Sequence, residues 1–280
     1  MRQPLHAHCT KLILVMSVLA LALLVGMPVS AAHATTVSFP DAHLEAAVRL
    51  ALSKPTGVIT DSDMQSLTSL NATDQGIADI AGLQYATNLT WLDLDFNTIA
   101  NVTPLSGLMN LAYLMLDSNK ITDITALAGL TNLRGLDLTA NQISNLTPLT
   151  ELHANLNVLS LNYNQIGSIT PLSSLNNLTF LGLAHNKISN IAPLSGMNEL
   201  GILGLDQNQI ADVTPLAGLA QMGHLSLTYN RVSDITPLST LTNLVDLRVE
   251  HNYLDVAAGS GAMATIATIK GRGAAVAYLP

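Results

Sequence analysis

The chain contains an asparagine that recurs at a nearly constant interval. The spacing is 22 residues, except for one interval of 23 in which the extra residue falls within 152–156. The pattern L-x-x-L-x-L-x-x-N-x-I surrounds each asparagine, and a degenerate copy over 67–77 precedes the series. A period of this length predicts a stack of units in which each unit packs only against its neighbours. The asparagines are Asn97, Asn119, Asn141, Asn164, Asn186, Asn208, Asn230 and Asn252.

The pattern within one unit predicts its conformation. L-x-L forms a short strand whose alternate residues face inward, and strands of successive units pair in parallel. A buried asparagine amide at the turn after the strand satisfies backbone groups of adjacent turns. Proline in the return path, as at Pro237, disfavours a long helix and favours a 3₁₀ segment or turn. We therefore predict an α/β solenoid of leucine-rich repeats, a curved stack with a parallel sheet on its concave side and 3₁₀ turns on its convex side.

Both ends of such a stack need caps, because a terminal repeat would otherwise expose its apolar face. Apolar periodicity predicts an N-terminal helical cap with helices over 41–53 and 61–66. At the other end, the pattern predicts a helix over 262–270 and a closing strand over 275–279. The expected domains are a signal peptide (1–34), an N-terminal cap (35–66), leucine-rich repeats (67–252) and a helix–strand C-terminal cap (253–280).

The first 34 residues are typical of a secretory signal peptide. Arg2 and Lys11 precede an apolar run over 12–25, and Ala32-His33-Ala34 matches the small-x-small cleavage pattern. The alternative is a retained membrane anchor, although the run is shorter than the ~20 residues that a spanning helix needs. We expect cleavage after Ala34 and a secreted protein, with retention at the cell surface if the segment is not removed.

Charge and cysteine content exclude several classes of function. The formal net charge of −8 disfavours binding to nucleic acid, and binding to anionic lipid once the signal segment is removed. The one cysteine, Cys9, lies within the predicted signal peptide. The mature chain is therefore expected to have no disulfide, no thiolate nucleophile and no cysteine metal site.

Several segments resemble internalin-type leucine-rich-repeat proteins of bacteria. They include Phe39-Pro40-Asp41 and Ile59-Thr60-Asp61 in the cap, residues 82–89 in the first repeat, and the repeat motifs at 121–127 and 129–133. The resemblance extends over 39–280 and implies extracellular binding of host or environmental proteins through the concave face. The chain shows no immunoglobulin-like domain, wall-sorting signal or C-terminal catalytic domain, so a free secreted protein is expected.

Outward-facing positions on the strands are the candidate binding surface, because their side chains are not needed for the core. Six of the ten aromatic side chains of the chain fall at these positions, and aromatic residues dominate binding hot spots. Four aspartates accompany the first of them, which predicts an acidic, aromatic patch in the N-terminal half. The alternatives are that aromatics suit strands in general, and that the aspartates form a solvated face that prevents aggregation. The candidates are Trp91, Asp93, Asp95, Phe96, Tyr113, Met115, Asp117, Asp137, Tyr163, Phe180, His185, His224 and Tyr229.

We expect a partner that is a protein, or alternatively a glycoconjugate, bound by a monomer through the anchors Trp91, Tyr113 and Phe180. The main alternative is a passive structural or adhesive repeat protein without a single high-affinity ligand. No cofactor is expected, and catalysis is disfavoured because the sequence has no H-E-x-x-H, G-x-S-x-G, P-loop or Rossmann motif. Paired carboxylates such as Asp93 and Asp95 are expected to be solvated, without the raised pKa that acid–base catalysis requires.

Metal binding is likewise not expected. His185 and His224 lie two repeats apart, about 10 Å by strand spacing, which is too far to share one ion. The four aspartates offer oxygen ligands for calcium, but strand positions lack the loop geometry and backbone carbonyls of a good site.

Overall fold

Ten parallel strands form one sheet in chain order in a computed structural model that describes residues 34–278. The register is constant, so that Leu92 pairs with Leu114 and Leu114 with Leu136 along the stack. The predicted leucine-rich-repeat solenoid is therefore confirmed. The strands are β1 Ser69–Asn71, β2 Trp91–Asp93, β3 Tyr113–Met115, β4 Gly135–Asp137, β5 Val158–Ser160, β6 Phe180–Gly182, β7 Ile202–Gly204, β8 His224–Ser226, β9 Asp246–Arg248 and β10 Ala275–Ala277.

The return side of the stack consists of short 3₁₀ segments. Most begin at a threonine followed by proline, and proline fits the first turn of a helix because its missing N–H has no partner there. A 3₁₀ segment of one turn keeps the return path short, which lets a repeat close within 22 residues. The segments are Leu83–Tyr85, Thr103–Leu105, Thr125–Leu127, Thr147–Ala154, Thr170–Ser174, Ala192–Leu194, Thr214–Leu216 and Thr236–Thr240.

The additional residue of the 23-residue repeat is absorbed on this return side. Two 3₁₀ turns run together over Thr147–Ala154, with a non-helical kink at Leu152. The strand register is unaffected, because Leu136 of β4 still pairs with Leu159 of β5. The sheet is therefore regular although one repeat is longer.

Each repeat contributes the same buried aliphatic side chains to one continuous core. Leu114, Leu116, Ile121 and Leu127 are fully buried in one repeat, and their equivalents are buried along the whole series. Leucine and isoleucine stacked in register exclude water between turns, so that each repeat is stabilised by the apolar surface of its neighbours.

The asparagine ladder joins consecutive repeats through hydrogen bonds. The Asn119 Nδ2 donates to the carbonyl oxygens of Leu116 and Asp117 in its own repeat, at 3.2 and 3.1 Å. It also donates to the Leu94 carbonyl of the preceding repeat at 3.0 Å, while Oδ1 accepts from the Ile99 N–H at 3.0 Å. The same arrangement recurs from Asn97 to Asn252. One amide thus satisfies backbone groups that the core would otherwise leave without partners.

The N-terminal cap consists of helices α1 (Ala42–Ala51) and α2 (Asp61–Gln65). Helix α1 begins one residue after the predicted start, because the Asp41 carboxylate caps the helix by accepting from the His43 and Leu44 N–H groups. The other Asp41 oxygen accepts from the N–H of Ala78, which connects the cap to the first repeat. Leu44 is fully buried against that repeat.

Helix α2 is fixed by a capping box between Thr60 and Asp63. The Lys54 ammonium lies 2.6 Å from the Asp63 carboxylate. This hydrogen bond, with those from the backbone and hydroxyl of Thr60, lowers the pKa of Asp63 to about 2.

The C-terminal cap closes the opposite end with helix α3 (Gly261–Lys270) and strand β10. Ile266 and Ile269 of α3 are buried against the last repeat, and β10 pairs with β9. Among the described residues, no helix has the length and apolar character needed to cross a bilayer. The predicted signal peptide lies almost wholly outside the described residues, because only its last residue, Ala34, is described.

Candidate functional site

The outward-facing side chains of the strands, together with the two residue positions that precede each ladder asparagine, form a continuous surface called here the sheet face. Tyr113 and Phe96 are exposed, while Trp91, Phe180 and Met115 are half-buried. The core does not use these side chains, so they are free to meet a partner.

The three predicted anchors divide into two groups on the sheet face. Trp91 of β2 lies directly beside Tyr113 of β3. Phe180 lies on β6, four strands from Trp91 and about 19 Å away by strand spacing. Phe180 is instead paired with Ile202, which is not among the residues predicted from the sequence. The structure therefore brings Trp91 and Tyr113 together but places Phe180 at a separate location.

Tyr113 lies over the neighbouring strand. A Cβ atom placed on Gly135 would come within 2.9 Å of the Tyr113 ring, so the absence of a side chain at Gly135 makes room for the ring. Gly135 is buried as a result, and Tyr113 itself remains 43% exposed. The ring therefore packs against the backbone of the adjacent strand.

The residue before each ladder asparagine adopts a left-handed conformation. Phe96, Tyr163 and Tyr229 have φ values of 55, 54 and 55°, and each side chain is more than half exposed. The backbone there is fixed by bonds to the next repeat, such as Phe96 N–H to the Asp117 carbonyl at 2.9 Å. These rings therefore project from defined backbone positions along one margin of the sheet face.

Two of these rings stack on histidines of the next repeat. The ring centroids of Tyr163 and His185 are 3.8 Å apart, and those of Tyr229 and His251 are 4.0 Å apart. His185 is among the residues predicted from the sequence, whereas His251 is not. The 22-residue period alone places His251 next to Tyr229, so the signal for it was present. His224, in contrast, lies on β8 at the opposite margin of the sheet face.

The four predicted aspartates lie close together on β2, β3 and β4 and on the turns that follow. The Asp95 carboxylate accepts from the Asp117 N–H at 2.6 Å, and the Asp93 carboxylate accepts from the Asp95 N–H at 3.0 Å. Backbone donors therefore fix the orientation of the carboxylates of Asp93 and Asp95. Asp137 similarly accepts from the Thr139 N–H.

The expectation that these carboxylates are solvated, with ordinary pKa values, is wrong for Asp95. Burial on the sheet face, together with the smaller effect of the nearby charges of Asp93, Asp137 and Asp117, raises the pKa of Asp95 to about 6, although the hydrogen bond from the Asp117 N–H opposes the shift. Burial likewise raises the pKa of Asp117. Within the described part of the chain, no group of three acidic, histidine or cysteine side chains is placed to hold a metal ion.

A trough of about 590 Å³ occupies the C-terminal half of the sheet face, from β5 to β9 and the turns that follow these strands. Its lining includes Phe180, His185 and Tyr229 from the predicted set, together with Ile202 and Asp206, which were not predicted. The glycines at outward positions of these strands indicate a part of the sheet face without side chains. The side chains that enclose it could be assigned only from the stacking of the repeats in the structure.

The repeat architecture identifies the class of protein. The family model for leucine rich repeats matches residues 87–143, and the model for two copies of the repeat matches residues 154–196. The chain is therefore a leucine-rich-repeat protein.

The particular family follows from solved structures. Internalin C2 of Listeria monocytogenes is 36% identical, with a TM-score of 0.73 over 81% of this chain and 100% of that one. The chain belongs to the internalin family. The functional domain of InlJ from the same organism is 25% identical, with a TM-score of 0.65 over 84% of this chain and 56% of that one.

A leucine-rich-repeat protein of Leptospira interrogans shares the fold at 20% identity, with a TM-score of 0.52 over 77% of this chain and 66% of that one. The comparison with curated proteins found no match.

Proposed function

We propose that this internalin-type protein is secreted and binds another protein through its sheet face. The observation that carries the proposal is the pair Trp91 and Tyr113, two adjacent aromatic side chains on a rigid sheet beside an acidic cluster. Aromatic side chains held in place before binding supply much of the energy of protein interfaces. Membership of a family that consists typically of secreted or surface proteins supports the proposed location.

The acidic cluster gives this surface a preference for a partner with basic groups. Asp93, Asp95, Asp117 and Asp137 flank the aromatic pair, and none of the ion pairs among the described residues involves them. Opposite charge accelerates association and aligns the partner with the surface. We therefore propose binding rather than catalysis as the activity, with a protein ligand preferred over a glycoconjugate.

The test is capture of a partner from the extracellular medium of the native source. The mature chain (35–280) is compared with the triple variant Trp91→Ala, Tyr113→Ala, Phe180→Ala after both are shown to have the same circular dichroism and melting temperature. Each truncation at a hot spot costs more than about 1 kcal/mol, so the triple variant should bind at least about 100-fold more weakly.

A control variant with Leu50→Ala and Tyr253→Ala removes apolar surface of similar kind away from the sheet face, where these side chains are 82 and 70% exposed. This control should retain the partner. Equal capture by all three proteins would contradict the proposal and transfer the site to the caps or the return side. Absence of any saturable partner would favour a passive structural repeat protein.

A further inference from the structure

The trough on the C-terminal half of the sheet face is open because one position on its floor lacks a side chain. A Cβ atom on Gly204 would have no heavy atom within 4 Å, so the space above this residue is empty. Gly182 on the adjacent strand differs, because a Cβ atom there would come within 2.7 Å of the Asn162 amide. Gly204 is therefore the residue whose small size creates the open floor.

The two margins of the trough carry large side chains at fixed positions. Phe180 and Ile202 form one margin, and the stacked rings of Tyr163 and His185, followed by Tyr229, form the other. The trough crosses β5 to β9, four strand spacings or about 19 Å, which accommodates about six residues of extended chain at ~3.3 Å each.

A peptide segment in the trough must be held through contacts with side chains. The backbone N–H and C=O groups of the neighbouring repeats are already hydrogen-bonded to each other, so they are not free to pair with it. The Leu183 N–H donates to the Gly204 carbonyl at 2.8 Å, and the Leu205 N–H donates to the Ser226 carbonyl at 2.8 Å. Recognition therefore depends on the shape and the charge of the trough.

The lining is negatively charged. It contains three carboxylates, Asp206, Asp246 and Glu250, and one cation, Arg248. Arg248 is already paired with Asp246 at 3.0 Å. Asp206 and Glu250 have no ion-pair partner among the described residues, and the Glu250 Oε2 is shielded from solvent without a hydrogen-bond donor. Carboxylates without a counter-charge in the lining of the trough favour a ligand that brings positive charge.

We propose that this trough binds an extended, positively charged segment of the partner protein, with an arginine side chain at the Glu250 end. The proposal rests on the proposed protein-binding function and assigns it a second site, separate from Trp91 and Tyr113. Tyr229 lines the trough close to Glu250, and a guanidinium group favours such a combination of an aromatic ring and a carboxylate. A neutral glycan fits the rings but leaves the two carboxylates without a counter-charge.

The test uses fluorescein-labelled octapeptides in which arginine alternates with valine or leucine, and matched peptides in which glutamine replaces every arginine. Binding to the mature protein is measured by fluorescence polarisation. We expect saturable binding of the arginine peptides and at least about tenfold weaker binding of the glutamine peptides. Raising the salt concentration from about 0.05 M to about 0.5 M should weaken the binding, because salt screens the electrostatic attraction between the peptide and the trough.

Basic peptides bind weakly to any acidic protein, so the decisive variant fills the trough without changing its charge. Gly204→Leu places a side chain in the open floor and should abolish saturable binding. Gly218→Leu is the matched control, because a Cβ atom added at Gly218 would also have no heavy atom within 4 Å, yet Gly218 does not line the trough. Glu250→Gln should weaken binding about three- to tenfold. If Gly204→Leu does not fold, Ala184→Leu fills the trough from the preceding repeat, because Ala184 also lines it.

Loss of binding in Gly204→Leu with retention in Gly218→Leu supports the trough. Equal binding by both variants, or no binding by the wild type, overturns it. Binding of an array of neutral glycans that Gly204→Leu blocks also overturns it, in favour of a sugar site. A captured protein partner that Gly204→Leu retains but Trp91→Ala with Tyr113→Ala loses would refute the trough and leave the proposed function standing.

Discussion

At the scale of single residues, the residue before each ladder asparagine has an unfavourable backbone conformation and a side chain on the sheet face. A left-handed conformation costs an L-residue about 1–2 kcal/mol, with less cost for aspartate or histidine. Phe96, Tyr163 and Tyr229 adopt it nevertheless, because their N–H groups donate to carbonyls of the next repeat. The fold therefore determines the backbone at this position and leaves the side chain free to vary.

Asp95→Asn should make the protein more stable near neutral pH. The folded-state pKa of Asp95 is about 6, above the ordinary value of 3.8, so the folded chain binds more protons than the unfolded chain between these values. Stability from this group is present below about pH 4 and is lost as the pH rises to about 6. Chemical denaturation across this range should show the loss in the wild type and not in the variant.

The variant amide preserves the local hydrogen bond. Asn162 occupies the equivalent position in its own repeat, and its Oδ1 accepts from the Ala184 N–H at 2.8 Å as Asp95 accepts from the Asp117 N–H. Asp234→Asn is the contrasting variant, because hydrogen bonds from Thr236 lower the pKa of Asp234. Its effect should have the opposite sign and disappear as the pH falls. The same pH profile for both variants would refute this account of Asp95.

The sequence could predict which residues face outward, because the 22-residue period places them relative to each asparagine. It could not predict the raised pKa of Asp95 or the contact between Tyr113 and Gly135. Both depend on how far a side chain extends over the adjacent strand, and this is determined by stacking of the repeats. The distance between Phe180 and Trp91 can be predicted by counting the repeats between them. The shared aromatic character of the two residues does not indicate that they lie close together.

At the scale of structural elements, three glycines on the strands have three different environments. Gly135 is covered by Tyr113, Gly182 adjoins the Asn162 amide, and Gly204 faces empty space. In the sequence all three are small residues at outward positions, so the pattern predicts the same role for each. The side chain contributed by the preceding repeat decides whether a glycine is covered or bare.

Gly182→Ala and Gly204→Ala should therefore have opposite effects on stability. The methyl group at Gly182 would displace the Asn162 amide, at a cost of about 1–3 kcal/mol. The methyl group at Gly204 meets nothing and reduces the freedom of the unfolded chain, which should stabilise the protein by about 0.4–1 kcal/mol. Urea denaturation measures both values, and destabilisation by Gly204→Ala equal to that of Gly182→Ala would show that the floor is not open.

At the scale of the whole molecule, the caps protect a stack in which each repeat contacts only its neighbours. The cap helices were predictable from apolar periodicity, with ends that differ by at most two residues. The cap bonds of Asp41 to the backbone of Ala78 and Asp79 were not, because they join residues that are distant in the sequence.

Leu44→Lys should release the N-terminal cap and expose the first repeats while the last repeats stay folded. Leu44 is fully buried, and a charge placed there is expelled from the core. Because stability propagates between neighbours, hydrogen exchange should rise first in β1 and β2 and least in β9. Leu50→Lys is the matched control on the same helix, since Leu50 is 82% exposed. A uniform rise in exchange along the chain would mean that the stack unfolds as one unit.

The ladder that begins at Asn97 has a consequence for how the length of such a protein changes. Every ladder asparagine donates to the backbone of the preceding repeat and accepts from it in the same way. The surface that a repeat presents to the following repeat is therefore alike along the series, and so is the surface that it presents to the preceding one. A genetic deletion or duplication of 22 codons within the repeats of 22 residues therefore joins two compatible surfaces. Unequal recombination can lengthen or shorten the sheet face in whole repeats and leave both caps intact.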